Sequence, residues 1–262
     1  TTLFRSSMVT WQGHFVPAAA VLRWVTYLQE ARDRGDLPAG TLITTSENWA
    51  ALGGEASYRN EDLAELVSRM DFLSLHTYAF HDTYYNPALQ WAPLPEEADL
   101  PVVDQIDRAI ERAVQLQKDQ LQAVRDYLAS LGLEKDIHIG ETGWASLDNS
   151  FYGDEGTRAA DEYVAGLFHA AVRKWTREEG LTCFYFEAFD EPWKSDGTAG
   201  SEGHFGLITI DGQAKYALWD LVDAGAFAGL SRGGRPIEKT HGGDAAILLE
   251  TLRPPVHLKF QP

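Results

Sequence analysis

Apolar positions along this chain fall into two kinds of segment, stretches with a three-to-four-residue period and short unbroken runs, and the two alternate four times. Val16 to Arg34 carries Ala20, Val21, Trp24, Val25, Leu28 and Ala31 at helical spacing, with Pro17 at the expected first helical position and Gly35 as the stop. Thr41 to Ser46 reads as a short buried strand, and Glu61 to Arg69 as an amphipathic helix with Leu63, Leu66 and Val67 on one face. Asp71 to Tyr78 is the next strand. The segment from Ala79 to Leu100, rich in aromatics and prolines, reads as a loop long enough to expect a function of it.

Val103 to Leu131 predicts a long helix with Ile106, Ile110, Val114, Leu121, Val124 and Leu128 inward, closed by Gly132. Asp136 to Gly140 is a third strand that runs into Glu141. Thr157 is the expected cap of a helix continuing to Glu179, with Ala160, Tyr163, Val164, Leu167, Ala171 and Trp175 on its apolar face. Leu181 to Phe189 is a fourth strand, His204 to Gln213 a small hairpin or loop, and Lys215 to Val222 a last helix. Alternating strands and helices predict an α/β fold with a parallel sheet. The βα domain is expected over residues 1–230, and the Gly- and Pro-rich stretch 231–262 as an irregular tail.

Composition narrows the functions. With 262 residues, 44% of them hydrophobic, the chain can bury a sizeable core. Thirty-nine acidic against 22 basic residues give a net charge of −17, which repels phosphate backbones and anionic lipid. A neutral substrate fits, with neither nucleic acid nor membrane as partner. The single cysteine, Cys183, excludes an internal disulfide framework and cysteine-rich zinc patterns, and its apolar run predicts a buried, inert thiol. His14, His76, His81, His138 and His204 lack paired-ligand spacing with acidic partners, so no metal and no cofactor is expected. Eight Trp, 10 Tyr and 12 Phe, many beside polar residues, favour a sugar-binding cleft, although most such rings serve in cores.

Working residues in parallel α/β folds gather where strands end, because the loops there vary without disturbing the sheet. The polar clusters sit at those ends: Glu47 and Asn48, His76 and Tyr78, Glu141, then Asp190 and Glu191. Glycoside hydrolysis needs one carboxylate as nucleophile or base and one protonated carboxyl to assist the leaving oxygen, and two strand-end glutamates can supply them. Trp144, three residues past Glu141, is either a platform for a pyranose face or a plug at the sheet's rim.

The run Gly-Glu-Thr-Gly-Trp-Ala-Ser at 140–146 resembles the nucleophile strand of glycoside hydrolase family 17, the β-1,3-glucanase and glucanosyltransferase family. Asp71 to Tyr78 is similar to that family's sixth strand, Phe184-Tyr-Phe-Glu-Ala-Phe-Asp-Glu-Pro-Trp-Lys194 to its eighth, and Leu42 to Ser46 to its fifth. The resemblance implies a (β/α)8 TIM-barrel fold of which the chain holds strands 5 to 8. It also implies a retaining hydrolase acting on laminarin-like β-1,3-glucan, with transglycosylation as a variant of the same covalent chemistry. Glu141 is then the nucleophile with Tyr78 as its partner, and Glu191 and Lys194 are active-site polar residues. Glu141 and Glu191 are thus the expected catalytic carboxylates, and His76, Tyr78, Trp144, Phe189, Trp193 and Lys194 the expected substrate-binding residues. His76 stands where plant members usually have Asn, either to bind a sugar hydroxyl or to pack.

The family's acid/base, in an Asn-Glu pair ending strand four, is expected upstream of Thr1, so the missing amino-terminal half of the barrel is an expected partner beside the glucan. Glu47 is the one internal candidate at a strand end for a substitute acid, and reads better as a loop acid next to a helix start. A non-catalytic glucan-binding half is the alternative function. The implied location is secreted or periplasmic.

Overall fold

Helix α1 (Ala18–Asp33) starts one residue past Pro17, whose extended backbone makes it the N-cap rather than the first helical residue. Then follow β1 (Ser46–Asn48), α2 (Glu61–Arg69), β2 (Leu73–His76), α3 (Ala79–Tyr85), α4 (Val102–Ser130), β3 (Ile137–Thr142), α5 (Glu162–Glu178) and β4 (Cys183–Tyr185). Two-residue strands β5 (Gln213–Ala214), β6 (Ser231–Arg232), β7 (Arg235–Pro236) and β8 (Glu238–Lys239) surround α6 (Trp219–Asp223), and α7 (Ala245–Glu250) ends the series. This computed structural model describes residues 7–11, 13–86, 89, 91–147, 156–194 and 200–256; the extreme ends of the chain, 1–6 and 257–262, lie outside the described residues.

Strands β1 to β4 form one sheet in the order β1-β2-β3-β4, with β1–β2 and β2–β3 parallel and a helical crossover between successive strands. The described residues fall into two units, one within Thr1–Thr77, Gln117–Thr142 and Thr176–Phe184, the other within Tyr78–Leu116, Gly143–Trp175 and Tyr185–Pro262.

In the first unit Leu63, Leu66 and Val67 of α2 are fully buried together with Leu73 and Leu75 of β2 and Ile139 of β3. At about 1.5–3 kcal/mol per buried aliphatic side chain, this stripe supplies much of what holds α2 in place. Asn60 caps α2 by accepting from the Leu63 amide at 2.9 Å. All six positions named for the long helix are buried on α4. Gln117 of α4 is also buried, and its amide donates to the Thr77 carbonyl (2.6 Å) and to the Thr142 hydroxyl (2.8 Å), pinning the ends of β2 and β3.

Several expectations are corrected. On α1 only Val25 and Ala31 are buried, while Trp24 and Tyr27 pack edge to face on each other and stay exposed. The loop expected from Ala79 to Leu100 contains α3 and a 3-10 turn at Pro95–Glu97. Thr157 does not cap α5. Asp161 does, accepting from the amides of Tyr163 (2.7 Å) and Val164 (3.1 Å), because its carboxylate stands one residue before the first turn. The buried face of α5 is Val164, Phe168, Val172 and Trp175, rotated from the expected one. Cys183 is half-buried. The stretch after Ser231, expected to be irregular, carries β6, β7, β8 and α7; β8 pairs with β5, and Lys239 meets Asp223 at 2.6 Å.

Candidate active site

In the first unit, Glu141 lies inside β3 rather than just after it, and its side chain keeps 21% exposure. His76, the last residue of β2, brings its Nδ1 to 3.5 Å from Glu141 Oε2, and its Nε2 is 2.7 Å from the Ser46 hydroxyl. The Ser46 hydroxyl is in turn 2.7 Å from that of Ser74. A side-chain chain therefore runs Ser74, Ser46, His76, Glu141 across three strands. Burial pushes the His76 imidazole down to about 4, so it is neutral near pH 7 and acts on Glu141 as a dipole rather than a cation. Gly140 makes this possible, since a Cβ at that position would stand 2.0 Å from the Ser74 Oγ and 2.6 Å from the Ser46 Oγ.

Glu47 occupies the middle of β1 and is 2% exposed. Its Oε1 accepts from the Ser7 hydroxyl (2.6 Å) and its Oε2 from the Met8 amide (3.1 Å). Burial raises its pKa, and the Ser7 and Met8 bonds work against that rise. With both oxygens engaged and the group enclosed, Glu47 is a structural anchor for the segment at Ser7 and Met8. That argues against its use as the substitute acid.

In the second unit, the segment after β4 is held by pairing with 205–208: the Glu187 amide donates to the Phe205 carbonyl (3.2 Å), Leu207 to Glu187 (2.8 Å) and Asp190 to Ile208 (2.9 Å). A 3-10 turn at Pro192–Lys194 then folds Lys194 back onto Glu191. The Lys194 ammonium contacts both the Glu191 carboxylate and Glu187 Oε2, the latter at 3.0 Å, and lies 4.5 Å from the centre of the Phe186 ring. Burial, together with Glu191 alongside, pushes the Glu187 carboxyl up to about 8, against the pull of Lys194. Glu191 is held below its ordinary range by its hydrogen bond with Glu187 and then by Lys194.

Tyr78, half-buried, makes edge-on contacts with Phe186 (6.3 Å) and Phe205 (5.9 Å), forming an aromatic wall in the same unit as Lys194. Trp193 is 67% exposed, as a stacking surface requires. Phe189 is half-buried, with the Arg232 guanidinium 3.9 Å from its ring centre.

Trp144 is a correction. It is 1% exposed, its indole N–H donates to the Ala159 carbonyl (2.7 Å), and its ring packs against Phe80, Trp91 and Phe168. No face is left for a sugar ring, so Trp144 is a plug. The Gly143 before it is required by crowding, because a Cβ there would meet the Phe186 carbonyl oxygen at 2.2 Å.

Two groups went unread in the sequence. Glu187 sits inside an aromatic strand run and looks like a strand residue, although a lone acid in such a run was the available signal. Lys215, expected only to begin a helix, is 5% exposed and donates to Asp190 Oδ1 (2.6 Å) and to the Ser146 hydroxyl (2.7 Å). Asp190 Oδ1 also accepts from the Gly206 amide (3.0 Å).

The sequence profile described as glycosyl hydrolases family 17 matches residues 105–219. A glucan 1,3-beta-glucosidase of Candida albicans is 30% identical over 196 residues, covering 64% of this chain and 61% of that protein. A glucan 1,3-beta-glucosidase of Arthroderma benhamiae is 36% identical over 120 residues, 42% of this chain and 37% of that protein. The crystal structure of an endo-laminarinase from Formosa Hel1_33_131 superposes with a TM-score of 0.93 at 48% identity, covering 96% of this chain and 64% of the other. The chain thus spans less than two thirds of the length of these proteins. With the profile, the relatives and the two motifs in agreement, the chain is similar to glycosyl hydrolases family 17 and its fold is of the (β/α)8 barrel type.

Proposed function

We propose that the chain carries the nucleophile of a retaining hydrolase acting on β-1,3-glucan. The observation that carries the reading is Glu141: a strand-end carboxylate, still reachable from solvent, beside a neutral imidazole and within the family's Gly-Glu-Thr-Gly-Trp run. Its relatives support the substrate, being named glucan 1,3-beta-glucosidases and an endo-laminarinase.

In this reading the Glu141 carboxylate attacks the anomeric carbon, the glycosidic C–O bond breaks, and a second carboxyl protonates the leaving oxygen. Water then attacks the anomeric carbon, gives one of its protons to that carboxylate and breaks the ester bond to Glu141, releasing the sugar; a sugar hydroxyl in place of water gives transglycosylation. A neutral His76 leaves the negative charge of Glu141 intact for attack, where an imidazolium would blunt it. Glu191, Lys194 and the exposed Trp193 hold substrate, and Tyr78 supports the aromatic wall. A polymeric substrate fits action outside the cytoplasm, as secretion to the medium or the periplasm provides.

Trapping with a 2-fluoro laminaribiosyl reagent in the full-length protein, followed by peptide mapping, tests the assignment. Label on Glu141 is expected, and label on any other carboxylate overturns it. Laminarioligosaccharide binding without turnover in the same protein replaces the hydrolase with a glucan-binding module.

A further inference from the structure

Three charged groups meet at the end of β4 where two would balance. Lys194 is one ammonium, and it touches the carboxyl groups of both Glu187 and Glu191. The side chains of Lys194, Glu187 and Glu191 are 14%, 13% and 19% exposed, so water screens them poorly. Glu187 and Glu191 are also within hydrogen-bond reach of each other. Two carboxylates that close, sharing one cation in a partly desolvated place, do not both stay ionised. Among the described residues, Lys215 also acts on Glu187 from a neighbouring element, and it is already bonded to Asp190.

The geometry further says which carboxyl keeps the proton. Glu187 Oε2 receives Lys194, while Glu187 Oε1 is buried and accepts from no donor among the described residues. A buried carboxylate oxygen without a donor is costly, whereas a hydroxyl at that position turns the oxygen into a donor. Glu191 is the more exposed of the two and is the better site for the charge.

We propose that Glu187 is a positioning residue that stays a neutral carboxylic acid and donates its proton to Glu191, so that a single Lys194 ammonium fixes both carboxyl groups. The assembly then carries no net charge, which suits a site that holds a neutral sugar. Direct burial-driven protonation of Glu187 points the same way. That Glu191 and Lys194 meet substrate rests on the function proposed above; the location of the proton does not.

Two measurements on the full-length protein separate these levels. Carbon-13 titration of glutamate carboxyls without substrate is expected to show one resonance, absent from Glu187→Gln, with its midpoint above about pH 7; a midpoint in the ordinary range near pH 4–5 overturns the proposal. On laminarin near pH 6, Glu187→Gln, whose amide still donates to Glu191, is expected to keep kcat/KM within about threefold. Glu187→Ala loses about tenfold or more, equivalent to a lost hydrogen bond to a charged group. The glutamine variant also loses the alkaline fall in activity that Glu187 ionisation causes in the parent. Equal damage from Gln and Ala, or an unchanged alkaline limb, overturns the positioning role. Absence of laminarin turnover in the parent counts against the functional reading alone, and the titration still decides the proton.

Discussion

His76 faces Glu141 because the pairing of β2 with β3 slips by one residue: Leu75 is opposite Ile139, but His76 is opposite Glu141 rather than Gly140. Such an irregularity re-aims a side chain at the end of a strand. It also fixes a pH dependence. Burial holds the folded-state pKa of His76 at about 4, whereas an unfolded histidine titrates near its ordinary value of about 6.5. Between those values the unfolded chain binds the extra proton, so stability falls as pH drops through the window, by about 3 kcal/mol for this group. His169, also pushed down to about 4 by burial, adds to the same acid limb. Denaturant unfolding near pH 4.5 and 7.5 is expected to show a smaller acid loss for His76→Gln than for the parent. Identical losses refute the buried neutral histidine.

Gly140 is predicted to be intolerant of a side chain. Gly140→Ala places a methyl against the Ser74 and Ser46 hydroxyls and forces the serine–histidine chain apart. Overpacking of this kind costs about 1–3 kcal/mol. Ser74→Ala in the same chain opens the tighter of the two contacts and is expected to recover part of the loss, as read by the urea midpoint. A Gly140→Ala protein as stable as its parent shows that the strands yield more easily than their packing implies.

How far these features could be read in advance depended on whether their signal was local. The stripes of α2 and α4 repeat at helical spacing and are buried where the pattern placed them. Glu141 and Lys194 belong to contiguous motifs. By contrast, the buried face of α5 depends on what packs against it, and Ala160 to Trp175 offers apolar residues on more than one face. Trp144 reads the same as a platform or a plug until Phe80, Trp91 and Phe168 are seen around it. Ser46, Ser74 and Lys215 acquire meaning through partners 25 to 69 residues away. Glu187 was hidden because its strand-like neighbours explain its position without reference to Lys194.

The two tryptophans following the glutamate motifs should separate stability from binding. Trp144→Ala empties a fully buried site and leaves the Ala159 carbonyl without its indole donor, at a cost of about 3–5 kcal/mol. Trp193→Ala removes a ring that is 67% exposed, and stability is expected to stay within about 0.5 kcal/mol. Calorimetry with laminarioligosaccharides should instead show weaker binding for Trp193→Ala. Unchanged affinity removes Trp193 from the substrate-holding residues.

The Lys215–Asp190 pair is the test of what holds the loop segment bearing Glu191. Both side chains are nearly enclosed, 6% and 9% exposed, and the ammonium has the Ser146 hydroxyl as a further acceptor. Burial pushes the Lys215 pKa down, and Asp190 resists that shift. Lys215→Met strands the Asp190 carboxylate with the Gly206 amide as its remaining donor among the described residues, a loss of about 3–5 kcal/mol. Lys215→Met combined with Asp190→Leu removes the orphaned charge as well, so the double variant should be more stable than Lys215→Met alone. Lys239→Met provides the comparison. Its partner Asp223 is 64% exposed, and an exposed pair contributes about 1 kcal/mol or less. Urea unfolding of these proteins together with Asp190→Leu completes the cycle and measures the coupling directly. If Lys215→Met costs no more than Lys239→Met, the buried pair does not organise this segment, and the position of Glu191 must be set by the backbone pairing with 205–208 instead.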